Sequence, residues 1–425
     1  IGCGSIDIAT CGGTMSASPT WVSTPATVSA PTGRIASIDV FRGLTMMVMI
    51  FVNDLSSVHG LPWWTYHAHM QQNAMTYVDM VFPFFLFIVG MSMPIAIAGR
   101  LKRDPSYIAL WRHILSRSIG LIVLGLILAN AEKGDPVRMG LPTAAWALLG
   151  LTGAILFWLV PSRNTRHARI FLGLRIVGFL MIVGVFAIFR RTTHGTTAAW
   201  VDFSYPEILG LIGFAYFSVA LLFVSTRRWL WAPLAWFVAL TAFCALNTAH
   251  IIHLPRHYLL YYWPFGGGAS SSIVMAGVVT SIIFLGKHRW QRLGQKMWLA
   301  LGFAVATLLA AWILAPLGIS KIRATPTWCL ASVGASVLCF MLLYWICDVK
   351  GKTGWAFFAK PAGENTLLTY LLPDIYFFLT ALVGFTYLDR YFQTGASGVI
   401  GSILFTFAIL AVSAVLTRMR IRLQL

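Results

Sequence analysis

Apolar runs of about twenty residues, parted by short polar breaks, recur along the chain after residue 34. A bilayer core takes about 20 apolar residues per helix, so each run predicts a membrane-spanning helix. The predicted spans are 36–55, 77–98, 109–129, 142–160, 170–189, 206–225, 229–248, 269–286, 297–317, 327–347, 364–384 and 396–416. The two-residue alternation of a membrane β-barrel is missing from them. The predicted fold is therefore all-α: a polytopic membrane protein of about twelve transmembrane helices.

The polar breaks divide the basic residues unevenly. With the N-terminus placed in the cytoplasm, the inner segments hold 23 of the 31 Lys and Arg residues and the outer segments hold 8. Every inner loop between spans carries at least two. The positive-inside rule then predicts twelve spans with both termini cytoplasmic. It puts the loop 56–76, which has no Lys or Arg, on the outer side.

Composition agrees with a membrane protein. The chain has 425 residues, 58% hydrophobic and 10% charged, against roughly 25% charged in soluble domains. The formal charge of +18 needs no nucleic acid, because cytoplasmic loops collect Lys and Arg for topological reasons. Membrane lipid is the expected surrounding and no nucleic-acid partner is expected. Residues 1–33 are rich in Ser, Thr, Pro, Gly and Ala and lack the apolar core of a signal peptide. They predict a disordered segment, with Met15 as the expected start, ahead of one transmembrane domain over 34–425. The six cysteines, Cys3, Cys11, Cys244, Cys329, Cys339 and Cys347, form no CxxC pair. They predict neither a zinc site nor a disulfide framework.

Thirteen acidic residues are few enough to weigh singly. Asp39, Asp54, Asp79, Glu207, Glu364 and Asp374 lie in or at the ends of spans, where an ionisable group is costly and a functional candidate. Asp39 precedes Arg42 by three residues, a spacing that suits a structural ion pair on one helix face. Histidine titrates near neutrality and suits proton transfer or nucleophilic work. His67 and His69 share the outer boundary with Asn53, Asp54 and Asp79. A second outer loop adds His250, His253, Arg256 and His257. His-x-His with an Asp would also suit a metal, but no spacing fixes further ligands, and no metal is expected. Trp63 and Trp64 fit an interfacial belt. "FGGGASSS", Phe265–Ser272, lacks the Lys of a P-loop and predicts a glycine-rich helix entry.

The stretch "RIASIDVFRGLTMMVMIFVND", followed by "MTYVDMVFPFFLFIVGMSMPIAI", resembles the heparan-α-glucosaminide N-acetyltransferase family in its bacterial form. The matching residues are Ser37, Asp39, Phe41, Arg42 and Gly43; Val52 and Asn53; His67 and Ala68; and Asp79 through Gly90. "GENTLLTYLL" resembles a later element through Gly363, Asn365 and Tyr370. "YPEILGLIGFAY" resembles another, with Glu207 where Gln is usual. The resemblance implies a family core of about ten helices, to which spans four and five are extra. It implies an acyltransferase that moves acetyl from cytosolic acetyl-CoA to an amino-sugar or related glycan acceptor on the outer side, with a histidine at the centre. The expected site is His67 or His69 with Asp79 and Asn53. Asp54, Arg42, Asn365, Tyr370, Glu207, Arg100 and Arg117 are expected around acceptor and CoA. The ungapped match to the family histidine is His69; the His-Ala pair gives His67, which is preferred because loop length varies more easily than a local pair. Direct transfer and an acetyl-histidine intermediate both stay open, as does a homodimer. The expected location is the bacterial cytoplasmic (inner) membrane. A proton-coupled transporter and a non-catalytic subunit of a larger membrane complex are the rival readings. The two halves of the chain show no similarity that would mark transporter repeats.

Overall fold

The computed structural model describes residues 35–159, 168–192, 198–252, 266–286, 288–385, 392–419, 421 and 423. The segment 1–33, with Met15, lies outside them, and so do His253, Arg256 and His257.

Apolar sequence makes helices here because a chain in lipid must satisfy its own backbone groups. The helices are α1 (Ala36–Leu55), α2 (Val78–Arg103), α3 (Tyr107–Asn130), a short α4 (Pro136–Met139), α5 (Thr143–Trp158), α6 (Ala168–Ile188) and α7 (Glu207–Thr226). There follow α8 (Ala232–Thr248), α9 (Ala269–Leu285), α10 (Leu293–Ile313), α11 (Pro326–Tyr344), a short α12 (Lys360–Glu364), α13 (Thr366–Val383) and α14 (Gly395–Arg418). A two-residue antiparallel ladder, β1 (Arg191–Thr192) with β2 (Ala198–Ala199), follows α6. Among the described residues, nine helices are long and apolar enough to cross a membrane; α5, α8 and α9 are shorter and equally apolar. Each of the twelve expected segments thus carries a helix, and the chain is a multi-pass membrane protein.

The shorter α9 is the most enclosed helix. It is buried on nearly every face, so it need not match a lipid thickness. It packs against α2, α8, α7 and α11. Its contact with α2 is backbone on backbone. A Cβ on Gly90 would fall 1.8 Å from the Val274 carbonyl oxygen, and one on Gly277 would fall 2.0 Å from that of Phe87. Small residues at such crossings are how membrane helices gain packing energy without a hydrophobic drive between them. The α3–α7 pair repeats the device at Gly125, where a Cβ would meet the Pro206 carbonyl oxygen at 2.2 Å. By contrast, α6 packs mainly on α5 and shows lipid-grade side chains outward, among them Leu172, Ile176 and Phe179.

Hydrogen bonds sort the loops into two ends of the bundle. At one end, Ile319 N–H donates to Asn73 Oδ1, His59 N–H to the Gln393 carbonyl, and Lys133 Nζ to Asp202 Oδ2. At the other, the Asp348 carboxylate accepts the N–H groups of Ala36 and Ser37, each at 3.0 Å. Those are orphan donors at the start of α1, so Asp348 caps that helix from the π-turn (Trp345–Val349) that ends α11. Arg227 also bonds Tyr107 at this end.

Candidate functional site

Asp79 sits in the first turn of α2 and is only 1% exposed. A carboxylate there meets orphan N–H groups and the positive end of the helix dipole. Its Oδ2 accepts the N–H of Thr76 at 3.1 Å and of Ala68 at 3.3 Å, with the Thr76 hydroxyl at 3.2 Å. Its backbone carbonyl accepts the indole N–H of the buried Trp328 at 3.1 Å. These bonds fold the loop back over the helix start. Tyr66 completes it by donating its hydroxyl to the Val58 carbonyl at 2.5 Å.

The remaining oxygen, Asp79 Oδ1, lies 2.7 Å from His67 Nδ1. An ionised carboxylate can only accept, so Nδ1 carries a proton and the neutral ring keeps its lone pair on Nε2. This is the base-and-orienter relation of acyl-transfer sites. The aspartate sets the tautomer and would stabilise the imidazolium that forms. His69 is exposed, and only its backbone N–H bonds, to Gln72 Oε1 at 3.1 Å. The loop therefore sets His67, the histidine that the sequence reading preferred, apart from His69.

Opposite Asp79 stands Lys321, from the loop between α10 and α11. Its Nζ lies 3.2 Å from His67 Nε2 and 3.4 Å from Nδ1. Burial pushes its ammonium down to about 8, against the pull of Asp79 and Glu207. Sequence reading missed this residue. The one available signal was its place among the few basic residues of the outer segments.

Glu207 opens α7, beside Gly125 and so about five residues inside the end of α3. Both its carboxylate oxygens lie 3.2 Å from the Tyr370 hydroxyl, which donates to the pair. Its backbone is left-handed, φ 57°, a conformation rare for a residue with a Cβ and one that clusters at functional sites. Asp374 lies one turn after Tyr370 on α13.

The other expected residues lie elsewhere. Arg42 pairs with Asp39 at 3.4 Å and donates to Ser92 Oγ at 2.7 Å. Arg100 and Arg117 converge on Tyr216 of α7, with the Arg117 guanidinium 4.7 Å from the ring centre. His113 faces the same two arginines. Asn365 is buried at the α12–α13 break. It donates to the Ile421 carbonyl at 2.9 Å and to Thr417 Oγ1 at 3.3 Å, and accepts from Leu423 N–H at 3.3 Å, so it holds the C-terminal segment. Asn53 is exposed and Asp54 half-buried at the end of α1.

A family profile described as a domain of unknown function, DUF5009, matches residues 34–266, more than half of the chain. Two curated relatives are the heparan-alpha-glucosaminide N-acetyltransferases of Mus musculus, 37% identical over 106 residues, and of Homo sapiens, 39% identical over 108. Each match takes in 25% of this chain and only 15% or 16% of the relative's own length. On the profile match and these relatives, the chain belongs to the DUF5009 family, the bacterial-type domain of the heparan-α-glucosaminide N-acetyltransferase family.

Proposed function

We propose that this protein is a membrane-embedded acetyltransferase of the cytoplasmic membrane. It takes acetyl from cytosolic acetyl-CoA and delivers it to an amino-sugar or related glycan acceptor on the outer side. The observation that carries this reading is the 2.7 Å contact of His67 with the buried Asp79. Acyl transfer to an amine needs a base for its proton and donors for the oxyanion. His67 Nε2 is the base, or in a two-step route the atom that bears the acetyl group. Arg100 and Arg117 supply positive charge suited to CoA phosphates. Glu207 and Tyr370 lie further in and suit acceptor hydroxyl or amine groups. Arg42, held by Asp39 and Ser92, and Asn365, held by the C-terminal segment, keep helices in place on this reading.

The test is acetyl transfer by purified protein to a panel of amino sugars. His67→Ala should lower kcat by about 10²–10⁴-fold, the usual worth of a positioned base. His69→Ala should cost less than tenfold, because the hydrogen bond described for this exposed residue is made by its backbone N–H, which Ala keeps. Near-wild-type transfer by His67→Ala would sink the histidine mechanism. Labelled acetyl retained on the protein without acceptor marks the two-step route. The ionisable groups inside the bundle, Glu207 and Asp374, also fit a proton relay. Substrate counterflow without acetyl-CoA would favour that transporter reading instead.

A further inference from the structure

Lys321 is held by a loop built to aim it. Ser320 N–H donates to Thr325 Oγ1 at 3.0 Å, Thr325 N–H to the Ser320 carbonyl at 3.1 Å, and Arg323 N–H to Ser320 Oγ at 3.3 Å. Gly318 and Ala324 both take left-handed backbone, φ 80° and 50°. Asn73 ties the loop to the one that carries His67. Among the described residues, no carboxylate lies within ion-pair distance of Lys321 Nζ; its near partner is the His67 ring. A half-buried ammonium without a paired carboxylate is costly. It is retained here 3.2 Å from the nitrogen where the reacting amine or acetyl group must sit.

We propose that Lys321 is a catalytic residue of the acetyl transfer: its ammonium donates to the thioester oxygen as negative charge develops there. The inference rests on the acetyltransferase reading above and holds for either route. In the direct route the acceptor nitrogen bonds to the acetyl carbon and the carbonyl π pair moves onto oxygen. Lys321 Nζ–H hydrogen-bonds that oxyanion. The pair returns, the C–S bond breaks, and CoA leaves as the thiolate. The proton from the acceptor nitrogen passes to His67 Nε2 and then to the thiolate. In the two-step route Nε2 replaces the acceptor nitrogen in the first attack, and the C–S bond breaks to release the thiolate. The acceptor nitrogen then attacks the acetyl carbon, the Nε2–C bond breaks, and the freed Nε2 takes the acceptor's proton. The same ammonium serves both tetrahedral stages. A preorganised cation in a site shielded from water is worth far more than in solution.

The charge also makes the step pH-dependent. His67 from its loop, Asp79 from α2 and Glu207 from α7 face this lysine. It is charged below about 8 and loses the proton, and with it the donor, above that value.

The experiment compares kcat of wild type, Lys321→Met and Lys321→Arg from pH 6.5 to 9.5, with saturating acetyl-CoA and acceptor. Lys321→Met should lose about 10²–10³-fold in kcat, the worth of one oxyanion donor, with KM for acetyl-CoA little changed. Arg stays charged throughout. The acceptor's own titration is common to all three proteins, so the ratio of Lys321→Arg to wild type should rise toward tenfold per pH unit above about 8. Melting temperatures control for folding. Transfer by wild type and Lys321→Met within threefold of each other overturns the role of the lysine alone. If Lys321→Met misfolds, Lys321→Ala takes its place, and transfer by that variant within threefold of wild type overturns the role equally. If wild type transfers no acetyl at all, the acetyltransferase reading fails and takes this proposal with it.

Discussion

Asp79 uses its two oxygens for different ends, and that division predicts the effect of a one-atom change. Oδ2 gathers Thr76 and Ala68, which shape the loop; Oδ1 holds the His67 ring. An Asn at position 79 can keep its carbonyl oxygen on the loop donors. Its amide then faces His67 as a donor, so Nδ1 must become the acceptor and the ring proton moves to Nε2. Asp79→Asn should therefore melt close to wild type yet lose about 10²–10⁴-fold in kcat. Asp79→Ala leaves the N–H groups of Thr76 and Ala68 and His67 Nδ1–H without their acceptor, while the Thr76 hydroxyl keeps the Tyr66 carbonyl. It should fall in both, because each unsatisfied buried group costs about 1–3 kcal/mol. A thermal shift assay beside steady-state kinetics separates the two variants. Near-wild-type kcat for Asp79→Asn would remove the tautomer argument. The sequence brought this carboxylate and two histidines to the same boundary, and preferred His67 over His69 on the His-Ala pair alone. The choice depends on how the loop returns through Thr76 and Tyr66. Lys321 was less legible still, since 254 residues separate it from His67 and no local pattern links them.

Helices were the most legible level, because twenty apolar residues leave the backbone little choice in lipid. Their ends were less so. The span expected to begin at residue 364 is broken at Asn365, with the short α12 lying against α1 before α13 starts. Asn365 faces a C-terminal segment more than fifty residues away, a contact that no window of sequence contains. Prolines 83, 94 and 373 lie inside helices without ending them, as neighbouring helices in a bundle allow. Glycine spacing carried information about packing. Gly277 faces the α2 backbone, where a Cβ would sit 2.0 Å from the Phe87 carbonyl oxygen; Gly302 on α10 has nothing within 4 Å. Gly277→Leu should split α2 from α9, costing at least the roughly 1–3 kcal/mol of ordinary overpacking. Gly302→Leu should be tolerated. Size-exclusion profiles and melting in detergent check the pair, and equal behaviour would mean that α2 and α9 do not meet at these glycines.

At the scale of the whole molecule, two separate features concern its direction in the membrane. The charge bias of the loops is a property of the sequence, and the sorting of loops to two ends is a property of the fold. The segments that carry Asp348, Arg227 and the Arg100–Arg117 cluster are rich in Lys and Arg, and the loop with His67 has none. Orientation is where a function across the membrane is decided. A bulky, polyanionic CoA must find its cations on the side where it is made, while the histidine must face the acceptor. We expect Ser57, in the loop after α1, outside and Lys102, in the last turn of α2, inside. In a protein freed of its native cysteines, Ser57→Cys on intact cells should react with an impermeant thiol reagent, and Lys102→Cys should react only after permeabilisation. Both positions are exposed, so a failure to label reports sidedness and not burial. Arg100→Gln and Arg117→Gln should raise KM for acetyl-CoA with smaller effects on kcat, as loss of uniform binding does. Inside-out vesicles should use added acetyl-CoA and right-side-out vesicles should not. The reverse labelling pattern, or transfer only by right-side-out vesicles, would turn the molecule over and put the His67 site on the same side as the CoA pool.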